Sequence, residues 1–190
     1  MTAPWMRKVS WTSVSVWNKL YKKSGIKKQF NESCLMCEDL RFNLDYIEFS
    51  RKMVVISSSL YFYRQHEMSI MSMYRKKQGN IENGIIYSKL LEETAKGYSG
   101  QNSEMVNYLD ARAAYSAHGA LWRIFAQKKE KEFQAYVSEG RALIRRNYVK
   151  IWKDKSTYGI RIRAGIGLFN YCFPLWCTAV RIYEWYANRK

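Results

Sequence analysis

At 190 residues the chain is long enough to bury a core without disulfides, and 47% apolar against 25% charged residues excludes an intrinsically disordered polymer. Lysine and arginine total 32 against 16 acids, and the resulting charge of +16 points to a polyanionic neighbour: nucleic acid, anionic lipid or a phosphate-bearing substrate. Arg7 and Lys8 are not followed by an apolar run, which excludes a secretory signal and leaves the cytoplasm as the expected compartment.

In chain order, Ser13 to Tyr21 alternates small polar with apolar residues and predicts a strand that runs into a Lys-rich turn around Gly25. From Asp39 to Arg51, Leu40, Leu44 and Ile47 form one stripe at helical spacing and Phe42, Tyr46 and Phe49 a second, which predicts a helix covered on two sides. Met53–Ile56 and Leu60–Tyr63, parted by three serines, read as two further strands. After the polar loop around Lys76, Lys77 and Gly79 the period becomes helical, with helices expected over Ile81–Lys96 and Ser103–Gln127. Between Phe133 and Lys153 an apolar face opposes Arg141, Arg145, Arg146, Lys150 and Lys153, the pattern of a basic amphipathic helix. Ala164–Val180 is apolar but interrupted by Pro174 and short of the roughly 20 residues of a spanning helix, so an interfacial or re-entrant element is expected.

The four cysteines, Cys34, Cys37, Cys172 and Cys177, could be two zinc half-sites, but they lie in or beside apolar runs and read better as reduced thiols. Tyrosine and tryptophan spread over many segments beside Lys and Arg favour a membrane interface over a base-stacking platform.

Three segments carry a family likeness when taken together: VWNKLYKKSGI at Val16–Ile26, FNESCLMCEDLRFNLDYI at Phe30–Ile47, and KMVVISSSLYFYRQHEMSIM at Lys52–Met71. Their order and spacing resemble the C-terminal half of family-2, inverting, GT-A-type glycosyltransferases over about the first 75 residues. The resemblance implies an α/β (α+β) fold: a partial mixed sheet in residues 1–78 that lacks the nucleotide-binding half, then a mainly helical, basic, membrane-associating tail in 79–190. It implies transfer of a sugar from a nucleotide-sugar donor to a glycan or lipid-linked acceptor in polysaccharide or cell-surface glycan synthesis, at the inner face of the membrane.

By that resemblance Asp39 of the Glu38-Asp39 pair is the catalytic base, which would take the proton of an acceptor hydroxyl as its oxygen attacks the anomeric carbon. Helix capping by Glu38 and Asp39 is the competing explanation. Trp17, Asn18 and Lys19 would line the floor between donor and acceptor, although Trp17 equally suits a core position. Arg64 could grip phosphate oxygens and His66 could contribute to a metal site, while both also fit an exposed loop. Ser69 and Ile70 complete the pattern without chemistry of their own.

The intact family enzyme would use Mg or Mn held by an Asp-x-Asp motif, and no two aspartates in this chain fall two apart. A truncated enzyme, a chain that pairs with a separate N-terminal half, or a non-catalytic basic module for anionic membrane are the resulting expectations. Nucleic acid is not expected as a partner, since no nucleic-acid-binding motif is present.

Overall fold

The computed structural model describes residues 15–30, 38–50, 52–62, 64, 81–100, 103–155, 157–187 and 189. The chain divides into two compact units, one ending at Met73 and the other running from Tyr74 to Lys190.

In the first unit α1 (Glu38–Glu48) carries the core among the described residues. Leu40, Phe42, Asn43 and Leu44 are its buried residues, so it is covered on more than one side as the two stripes predict. Its aromatic face gathers the preceding segment. Tyr21 meets Phe42 and Tyr46 edge-on at 5.3 and 4.9 Å, and Phe30 stacks on Phe42 at 4.5 Å. The one-turn helix Lys23–Gly25 lies so close to Tyr46 that a Cβ at Gly25 would sit 3.2 Å from the ring.

The expected mixed sheet is overturned: the fold is all-helical, with no strand among the described residues. At Ser13–Tyr21, of which Ser13 and Val14 lie outside the described residues, the backbone turns instead, with the Lys19 amide donating to the Val16 carbonyl at 3.2 Å. The Lys19 ammonium donates to the Ser15 carbonyl, a backbone acceptor that a ladder would have used, and at 2.9 Å to Asn18 Oδ1. The β-branched and aromatic stretch 52–62 is non-helical, but no described strand pairs with it, and its Val54, Val55, Leu60 and Phe62 are 60–92% exposed. Strand propensity describes how a residue fits a pleated sheet, and becomes a strand only when a second backbone completes the ladder. Tyr63, at the end of the second expected strand, lies outside the described residues.

The second unit is a helical array: α2 (Ile81–Gly97), α3 (Ser103–Ala126), α4 (Gln134–Lys153), α5 (Ile160–Tyr171) and α6 (Phe173–Ala187). α3 is central, packing on α2, α4 and α6. Its alanines at 111, 113, 114, 117 and 120 are buried and keep it thin enough for neighbours to approach closely. A Cβ at Gly84 of α2 would lie 2.7 Å from Ala120 Cβ, and one at Gly140 of α4 would lie 3.0 Å from Ile85 Cδ1. α3 ends in a left-handed residue, Lys128 at φ 56°, with the Lys129 amide bonded to the Ile124 carbonyl at 3.0 Å and the Lys128 amide to Phe125 at 3.3 Å.

Helix α4 forms over the expected span and buries Leu143, Ile144 and Ile151. Its basic face, however, is largely engaged inside the unit. Arg146 grips Glu92 with both carboxylate oxygens at 3.0 Å, Lys150 pairs with Asp110, and Arg141 lies 4.0 Å above the Phe173 ring. The apolar segment expected over Ala164–Val180 is two helices rather than one, broken at Cys172. Pro174 falls in the first turn of α6, where its missing amide leaves no acceptor unsatisfied. No described helix is long and apolar enough to cross a membrane.

Candidate functional site

In the first unit the turn at 16–19 folds onto the start of α1. Asp39, half-buried in the first helical turn, accepts a hydrogen bond on Oδ2 from the Val16 amide at 3.1 Å. Lys19 lies near enough to feel its charge: burial pulls the ammonium below its ordinary pKa, and the Asp39 carboxylate opposes that pull. One turn further along α1, Asn43 accepts from the Tyr21 hydroxyl at 2.5 Å and donates to the Ser15 carbonyl at 3.4 Å. The Tyr21 phenol is held well above its ordinary range, chiefly by burial and then by the charge of Asp39. The Lys22 amide donates to the Tyr46 hydroxyl at 3.0 Å. Both sides of the 16–22 segment are thus tied to α1 by named polar bonds.

Of the residues singled out in the sequence, the structure brings together Asp39, Asn18 and Lys19, with Trp17 on the same turn. Trp17 is 44% exposed and packs on Tyr61 at 4.8 Å, which places it on a surface rather than in a core. Glu38 is exposed beside Asp39. Arg64 is exposed, with no hydrogen bond or ion pair to the Asp39 cluster among the described residues. His66, Ser69, Ile70, Cys34 and Cys37 lie outside the described residues. Cys172 and Cys177 are free thiols, and burial raises the Cys177 pKa.

No group of three or more metal-ligating side chains exists among the described residues. What the cluster offers is one positioned carboxylate, oriented by a backbone amide, beside an ammonium and an accessible indole. Such a group can accept a proton from a hydroxyl brought to it, and the indole offers a face on which a sugar ring can stack.

A second concentration of functional groups, missed in the sequence, lies in the second unit. His118 of α3 accepts on Nε2 from the Trp176 indole at 2.9 Å and sits among the rings of Trp122, Phe169 and Trp176. Burial lowers its pKa to about 4. It lines a cleft of about 500 Å³ together with Trp122, Arg123 and Arg161. A histidine flanked by alanine and glycine in a helical run signals nothing from sequence alone, because only the return of α6 supplies Trp176.

No family model, curated protein or solved structure matches the chain.

Proposed function

We propose that the first unit is the acceptor-side portion of an inverting, nucleotide-sugar-dependent glycosyltransferase in which Asp39 is the catalytic base. The observation that carries this reading is the bond from the Val16 amide to Asp39, which joins two of the three segments of the sequence likeness at the carboxylate. The acceptor, a glycan or lipid-linked hydroxyl, gives its proton to Asp39. Its oxygen then bonds the anomeric carbon as the bond from that carbon to the nucleoside diphosphate breaks on the opposite face. Lys19 lies close enough to Asp39 to feel its charge, and Trp17 and Asn18 belong to the same turn.

Donor binding is assigned to a nucleotide-binding fold outside these 190 residues. The test is to isolate the native protein from extracts, with whatever carries that fold, and to assay it for release of nucleoside diphosphate from nucleotide sugars. Asp39→Asn is expected to lower turnover by about 10²- to 10⁴-fold with acceptor affinity retained. Unchanged turnover in that variant removes Asp39 as the base.

A second reading, a non-catalytic module that binds anionic membrane from the cytoplasmic side, is favoured by one observation. The outer face of α6 exposes Leu175, Ile182, Trp185 and Tyr186, each 55–61% accessible, with Arg189 stacked 3.7 Å over Trp185. Sedimentation of the whole chain with anionic vesicles, reduced by Ile182→Ser/Trp185→Ser, supports it. Equal recovery in the supernatant with anionic and neutral vesicles removes it.

A further inference from the structure

The cleft beside His118 is built wholly from the second unit, between α2, α3 and the start of α5. Its chemistry is one-sided. Arg123 and Arg161 stand on its walls, both exposed and neither ion-paired among the described residues, while no carboxylate lines it there. Arg161 and Ile162 are the second and third residues of α5, so the cleft opens onto the N-terminal turn of that helix. This turn has no side-chain cap at Gly159 and no acid, which leaves its first amides free to meet an anion.

The imidazole adds a third kind of donor. A tryptophan indole can only donate, so the bond from Trp176 fixes Nε2 of His118 as the acceptor and places the ring proton of the neutral imidazole on Nδ1. Nδ1 has no hydrogen-bond partner among the described residues, although the ring is mostly buried and lines the cleft. Glycines at 84, 119 and 165 keep the floor low, and Tyr115 and Trp122 supply aromatic wall.

We propose that this cleft binds a phosphoryl group: two arginines, an uncapped helix start and a neutral imidazole line it, and no carboxylate is among its lining residues. Its volume exceeds that of a bare ion, so the phosphate comes attached to an organic group that rests against Trp122 and Tyr115. The phosphate is that of a soluble phosphomonoester or of a lipid headgroup, two sources with the same chemistry. Binding there is unaffected by the Asp39 variant.

The chain has only two histidines, so the ring Cε1–H signal of His118 can be assigned by its loss in His118→Gln. In the whole chain, inorganic phosphate is expected to shift that signal saturably with a Kd on the order of 1 mM. Arg123→Gln/Arg161→Gln, whose substitutions sit on exposed positions, is expected to weaken this by about tenfold or more, while Lys131→Gln/Arg145→Gln removes the same charge without effect. A parallel arm sediments the chain with phosphatidylcholine vesicles with and without phosphatidic acid. A variant-sensitive shift with inorganic phosphate supports the soluble source. Variant-sensitive sedimentation with phosphatidic acid and no shift in the first arm supports the headgroup. Absence of both effects, or effects equal in the two double variants, overturns the proposal.

Discussion

His118 keeps the Trp176 indole satisfied only while Nε2 is free of a proton, so its titration acts directly on the fold. Its pKa is lowered from 6.5 to about 4, which means that the unfolded chain binds the proton more readily than the folded one. Stability from this group is complete above the unfolded value, falls as pH drops from about 6.5 to about 4, and levels off below. The shift corresponds to about 3 kcal/mol. Urea unfolding at pH 7 and pH 4.5 should show that loss in the native chain. His118→Gln, which keeps an acceptor for the indole, should lose most of the dependence. That Trp17, Asn18 and Lys19 are consecutive and that Glu38 and Asp39 open a helix was legible in the sequence. Their geometry was not: the bond from Tyr21 to Asn43 joins positions 22 apart along the chain, and neither residue type announces it.

Helices were the most legible elements, since each needs only its own hydrogen bonds and one apolar face. The spans expected for α2, α3 and α4 agree with the structure to within one or two residues. The end of α3 lacked its usual signal, because the left-handed position is filled by Lys128 instead of glycine. Lys128→Gly should remove the strain of a Cβ at positive φ and raise stability by about 0.5–1 kcal/mol, read as a higher midpoint in urea with an unchanged slope. The contact of α2 with α3 makes the opposite demand. Gly84→Ala sets its new methyl against Ala120 and is expected to cost about 1–3 kcal/mol, beyond what the better helix propensity returns. Gly84→Ala/Ala120→Gly moves the space to the other helix and should recover most of that loss, so a double-mutant cycle isolates the contact. The basic face of α4 shows why charge patterning misleads at this scale: Arg146 and Lys150 serve Glu92 and Asp110 within the unit, and the sequence does not reveal which cations are already engaged.

Across the whole molecule, the mixed sheet failed as an expectation for a reason that lies outside any single segment. Residues 52–62 have the composition of strands, yet a strand is a property of two backbones, and no described segment supplies the second. A stretch this accessible, without helix or ladder, should be the first to yield to protease. Brief chymotrypsin treatment is expected to cut at Tyr61 or Phe62 while Leu109 and Leu121, buried in α3, stay protected; cleavage that begins inside α3 would contradict the architecture. The same stretch has a second consequence for the chain in solution. From Met53 to Phe62 it carries no charge, proline or glycine, and its valines, isoleucine and aromatics face water. Identical copies can register against one another there and stack into cross-β fibres, so the shelf life of concentrated stocks is governed by ten residues, and a lysine in place of Val55 would extend it.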